Sequence, residues 1–257
     1  MDIWNDYRAR MGSKGITKRE EFYNRQVHRL THHASENLSY QEVTIDECKQ
    51  NVTILDTDAL NQKTIISLPN ENLDLGEIVR WKNLYWLITE RDANTTLYTK
   101  CKMTQCNYLL KWVTDDKLIH EQWCVIEDGT TYQTGERESS DFVVTRGDTR
   151  IAMYITRNEQ TINLGRDNRF LIGDPDAKFK LAYTLSKPLK VGNVYNGHGV
   201  YQFVLQEVST NEYDNHELAI ADYYRYFPEK DDELQDQDID LDKSSQSDTE
   251  SDRKGWL

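Results

Sequence analysis

Proline, cysteine and methionine are scarce in this chain of 257 residues, with four of each. Four cysteines in a chain this long do not make a disulfide framework. No apolar run is long enough to span a bilayer, and residues 1–15 lack the apolar core of a signal peptide. A soluble, unprocessed protein made in the cytoplasm is therefore expected, with no membrane partner. Catalytic signatures are also missing. There is no Gly-rich phosphate loop, no nucleophile elbow and no carboxylate pair that spacing alone places in one cleft. The expectation is a non-enzyme with no cofactor. Nor is there an excess of cations: the net charge is −13, which argues against a general phosphate-binding surface.

Aromatic residues, by contrast, are plentiful: 15 Tyr, 6 Trp and 6 Phe supply large apolar contact areas to an otherwise polar chain. The densest patterning lies in residues 73–112. Residues 77–81 alternate as a half-buried strand does, and Lys82 and Asn83 form a break. In the following strand Tyr85, Leu87 and Thr89 share one face while Leu84, Trp86 and Ile88 share the other. Both faces are apolar enough to seek burial. Short strand-like runs around Val43, Val52 and residues 63–68 precede this stretch, and together they predict about six antiparallel strands, a number suited to a small barrel.

Upstream, residues 1–37 read as helical. Ile3, Trp4 and Tyr7, then Phe22, Tyr23, Val27 and Leu30, recur at three- and four-residue steps, with a break near Gly12 to Gly15. Thr17 followed by Glu20 predicts a capping box. Arg8, Arg10, Lys18, Arg19, Arg25 and Arg29 make this the one basic cluster, a candidate docking element. His28 and His32 stand one turn apart, but nothing of the H-E-x-x-H type accompanies them, so they read as surface histidines.

Beyond residue 112 a second antiparallel module is expected, with strands at 123–126, 142–145, 150–156, 161–164, 169–172, 178–185, 194–195 and 200–208. Asn196 and Gly197 signal a hairpin, and His198 and Gly199 suggest a loop longer than two residues. The polar stretch 129–141, with Gly129, Thr131, Tyr132, Glu136, Arg137 and Glu138, reads as a long surface loop. Cys101, Cys106, His120 and Cys124 could form a zinc series, but neither spacing is that of a usual knuckle, and reduced, partly buried thiols with no metal are expected. Asn215 to Ala219 starts like a metalloprotease helix, but Ile220 stands where the second histidine belongs. Residues 229–257 carry 11 acidic and 4 basic residues, −7 of the total charge, and read as a disordered tail. The division is thus a helical segment 1–40, a β-barrel 41–112, a second β module 113–226 and an acidic tail 227–257, mainly β throughout.

The succession from LDLGEIVRWKNLYWLITER at Leu73 through TKCKMTQCNYLLKWV at Thr99, continued by NLGRDNRFLIGD at Asn163, resembles head-closure or stopper proteins of tailed bacteriophages. The resemblance implies a ring-forming β-barrel protein of the virion neck. Its partners would be a portal or adaptor ring above and tail or tail-terminator proteins below. Packaged DNA would pass through the lumen without sequence-specific binding, making the 129–141 loop a candidate gate. The alternative from another class is a soluble β-rich module that binds a ligand through exposed aromatics, with Tyr85, Trp86, Trp112 and Trp123 lining a groove.

Overall fold

The computed structural model describes residues 17–92, 96–128 and 150–228, together with Trp4 and Tyr7. The architecture is mainly β, as the patterning implies: a helix, a closed six-stranded barrel and a second antiparallel sheet of six strands. Helix α1 (Lys18–His33) opens with the expected capping box, in which Thr17 accepts from the Glu20 amide while the Glu20 carboxylate accepts from the Thr17 amide.

Strands β1 (Tyr40–Ile45), β2 (Cys48–Asp56), β3 (Gln62–Ser67), β4 (Ile78–Trp81), β5 (Leu84–Asp92) and β6 (Lys100–Gln105) form the barrel in the order β1-β2-β3-β6-β5-β4. Pairing of Thr44 with Arg80 and of Ile45 with Val79 closes the ring. Closure leaves no open edge to recruit another strand. Alternation delivers Val43, Ile45, Val52, Ile54, Ile65, Val79, Cys101 and Met103 to the interior. The β4–β5 connection is the tight turn anticipated at Lys82 and Asn83. Both residues have positive φ, the combination a two-residue hairpin of right-handed twist requires.

The second sheet runs β10-β11-β12-β9-β8-β7, built from β7 (Tyr108–Val113), β8 (Ile119–Asp128), β9 (Arg150–Thr156), β10 (Arg169–Ile172), β11 (Leu181–Tyr195) and β12 (His198–Val208). It curls until its two edge strands meet, where the Tyr108 hydroxyl donates to the Leu171 carbonyl at 3.0 Å. Leu110, Met153, Ile155, Phe170, Leu185 and Phe203 fill its concave side.

Three local expectations need correction. Residues 161–164 do not form a strand. Helical turn α2 (Glu159–Ile162) stands there, because Asn158 caps the amides of Gln160 and Thr161 and the buried Thr161 hydroxyl donates to the Thr156 carbonyl. Of residues 178–185, only those from Leu181 onward are strand, and they open a single 15-residue strand that continues past Pro188 and absorbs two register shifts. The loop at Asn196 and Gly197 is only two residues long, since Tyr195 pairs with His198 and Gly199 lies within β12. Strands proposed at 142–145, and the acidic stretch from 229 onward, lie outside the described residues.

A C-terminal strap seals the open side of β10 and β11 and ends in helical turn α3 (Tyr223–Tyr226). Arg169 grips it with a bidentate bond to Asp214, at 3.1 and 2.9 Å, and a 3.0 Å bond to Asp222. The buried Lys180 ammonium donates to the carbonyls of Pro175, Ala177 and His216. Saturation of this kind is what allows a cation to sit in a dry site. His216, from the segment that resembled a metalloprotease start, accepts from the Lys180 amide through Nδ1.

Candidate functional site

Two places in the molecule bear on function: the junction between the barrel and the second sheet, and helix α1. At the junction β5 is buried on both faces, as its two apolar faces require. Trp86, Leu87 and Ile88 are all inaccessible to solvent, and Val125 and Val200 of the second sheet join the barrel core. Tyr85 stacks on Trp123 across the junction, with ring centroids 4.4 Å apart and planes inclined by 15°. The Thr156 hydroxyl donates to the Gly76 carbonyl at 2.8 Å across the junction, and within the second sheet the Arg157 amide donates to the Gly199 carbonyl at 2.9 Å. Consequently Tyr85, Trp86, Trp112 and Trp123 line no groove. Trp86 is 2% and Trp112 3% exposed, and the other two cover each other. Apolar area of this size is worth more in a core than in water.

An open cleft of about 870 Å³ lies beside the junction, between the rim of the barrel and the tip of the β11–β12 hairpin. Asp74, Arg91 and Thr99 contribute from the barrel, and Asn193, Tyr195 and His198 from the hairpin. The Arg91 guanidinium is held by Asp74 at 2.6 Å and by the Asn72 side-chain oxygen at 2.9 Å. Burial pushes the Glu77 and Asp46 carboxyls above their ordinary range, and the charge of His198 opposes that rise in both. Tyr195, 66% exposed, is the aromatic that sequence patterning did not single out for binding. It ends a strand that sequence split in two, which hid its place at the tip of a long hairpin.

Helix α1 is the other place. None of its 16 residues is buried. Lys18, Phe22, Arg25 and Arg29 follow one another at steps of four, three and four residues, so they form one stripe along the helix. All four are exposed, Phe22 by 61%. Arg25 pairs with Glu21 at 2.9 Å, whereas Lys18, Arg19 and Arg29 have no carboxylate partner among the described residues. His28 and His32 lie ring against ring at 4.0 Å, and His33 contacts Glu36 at 2.9 Å. Four of the six candidate docking cations, Lys18, Arg19, Arg25 and Arg29, are therefore together on α1. Arg8 and Arg10 lie outside the described residues, as do all six candidate gate residues, Gly129, Thr131, Tyr132, Glu136, Arg137 and Glu138.

The four cysteines are free thiols. Cys101 faces the barrel interior, Cys106 is buried where the barrel meets β7, and Cys124 is buried in the second sheet. Desolvation pushes the thiols of Cys101 and Cys106 up to about 12 and that of Cys124 higher still, so all three hold their protons at neutral pH. His120 is engaged elsewhere, beside the Trp112 ring and bonded to the Thr114 hydroxyl at 3.2 Å. Among the described residues no group of three or more His, Cys, Asp or Glu side chains is arranged to hold a metal ion.

Residues 16–105 match the family model of the YomX N-terminal domain, a phage-associated family. The matched region is about a third of the chain. It starts one residue before the Thr17 cap of α1 and stops on the last residue of β6, so it coincides with the helix and the complete barrel. The match thus supports a bacteriophage origin for the chain. No curated protein and no solved structure matches it.

Proposed function

We propose that this chain is a structural protein of a tailed-phage particle, a non-enzymatic, ring-forming head-closure or stopper component of the neck. The observation that carries the reading is α1, a capped basic helix with no buried residue attached to a closed barrel within the phage-associated region. A helix of this length is marginal in water unless something covers it. A portal or adaptor ring is the proposed partner for α1, with tail or tail-terminator proteins on the opposite side. The closed barrel suits such a role because it offers no open strand edge, leaving side chains and loops to make contacts between subunits. DNA would pass through the ring without sequence-specific contacts, and the acidic balance of the chain would keep it from adhering.

The decisive experiment is quantitative mass spectrometry of purified virions from the source of this gene, scaled to the major capsid protein. A low, fixed copy number is expected, and it should fall when Arg25 and Arg29 are changed to Glu. Absence of the chain from particles would overturn the reading.

A second reading, a soluble module that binds a ligand through an exposed aromatic, is favoured by the cleft at Tyr195. An open cavity with an aromatic at its mouth and polar groups converging from two elements is a common form of ligand site.

A further inference from the structure

Helix α1 poses an energetic problem that its own residues do not solve. Ordering a residue costs about 1–2 kcal/mol of backbone entropy. Against this, the Thr17 cap contributes about 1 kcal/mol and the Glu21–Arg25 pair about 0.3–0.5 kcal/mol. Burial, which normally supplies the remainder, is only partial here: Gln26, Val27 and Leu30 are half-buried, and no residue of the helix is fully so. A covering partner must match an exposed phenyl ring flanked on the same stripe by three cations.

The chain itself contains a segment of that chemistry. Residues 231–242, DDELQDQDIDLD, hold seven carboxylates and no cation, and Leu234, Ile239 and Leu241 interrupt the acids. This alternation of acidic and apolar residues is the chemical complement of a phenyl ring flanked by cations. Length fits as well, because 12 residues reach about 40 Å when extended and α1 is about 24 Å long. Several other cations are more deeply engaged than Arg25, whose side chain stays 70% exposed in its pair with Glu21. Lys63, Arg91, Lys102 and Lys111 already face Asp56, Asp74, Glu90 and Glu121, and Arg169 and Lys180 are saturated within the strap.

We propose that the stripe formed by Lys18, Phe22, Arg25 and Arg29 on α1 is the docking site for the acidic segment 231–242 of this same protein. The apolar side chains of the segment cover Phe22 while its carboxylates meet the three cations. Any outside partner of α1 must then displace that segment, so the segment sets a threshold for docking. The inference holds whether or not the protein works in a neck, since it concerns only two parts of one sequence.

A zero-length carbodiimide cross-linker tests it on the full chain, because Lys18 is the sole lysine of α1 and coupling requires direct contact between ammonium and carboxylate. At low salt the expected product joins Lys18 to a carboxylate within 231–242, identified by peptide mass spectrometry. The product should be lost at about 0.5 M NaCl, where screening is short-ranged. It should also be lost in the Arg25→Glu/Arg29→Glu variant and return when Asp236→Arg and Asp238→Arg are added. Because the α1 side chains lie on the surface, these changes spare the β core. A mixture of isotopically light and heavy chains then separates contact within one copy from contact between copies, and either arrangement supports the proposal. Coupling of the acidic segment only to other lysines, or coupling to Lys18 that ignores both salt and charge reversal, would overturn it. Absence from virions would sink the neck reading and leave this result standing.

Discussion

Gly76 and Gly199 decide how closely the barrel approaches the second sheet. A Cβ on Gly76 would lie 2.1 Å from the Gly199 carbonyl oxygen, and its φ of +89° also disfavours any L side chain. On Gly199 a Cβ would lie 2.4 Å from the Asn193 carbonyl oxygen and 2.7 Å from the Val194 Cα. The obstacles are backbone atoms, which do not swing aside as a flexible side chain would. Gly76→Ala is therefore expected to cost at least about 3 kcal/mol in urea unfolding, well above the mild loss that Ala causes at an unstrained glycine. Unfolding midpoints equal to those of the parent would show that the junction is looser than its geometry. This pair also explains why His198 and Gly199 misled the sequence reading. Gly199 is a glycine because the Asn193 and Val194 backbone of its own hairpin stands where a Cβ would go, while the contact of its carbonyl with Gly76 spans over 120 residues of sequence.

Helix α1 is an element whose local signals were fully readable while its surroundings were not. Thr17 and Glu20 announce the capping box, and the structure has it. What periodicity could not tell is that Phe22, spaced like a core residue, faces outward. A 3.6-residue repeat marks an apolar face without saying what covers it. Since no residue of α1 is buried, local and global stability should separate. Thr17→Ala is expected to weaken the helix by about 1 kcal/mol, read as faster amide hydrogen exchange in α1, with the global unfolding midpoint unchanged. A matching drop in the midpoint would mean that the helix is packed into the core.

At the scale of the whole molecule, the barrel and the second sheet keep separate apolar clusters that meet along a shared boundary. Val125 and Val200 lie in the barrel cluster, and Tyr85 and Trp123 stack across the boundary. Elements whose cores interlock along such a boundary unfold together, so a single cooperative transition is expected. Trp123→Ala should lower stability by about 2–3 kcal/mol, from lost ring contact and area, and should split or broaden that transition. Two well-separated transitions in the parent protein would show that the halves are energetically independent.

The class of fold, the existence of most strands, the helix cap and the turn at Lys82 and Asn83 are legible in the sequence, because period-two alternation and turn chemistry are local properties. The sequence also implied that β5 needed burial on both sides, without saying what would cover the second face. That β8 and β12 cover it, that Tyr108–Val113 begins the second sheet, and that Trp86 and Trp112 are core residues and not a binding surface emerges only in the folded chain. Likewise the composition of the region from 161 to 164 looked strand-like until Asn158 and Thr161 were seen to cap a helical turn. The physical reason is common to these cases. Which face of a strand is covered, and by what, depends on pairings between residues far apart in the chain, and periodicity contains no term for distance in sequence.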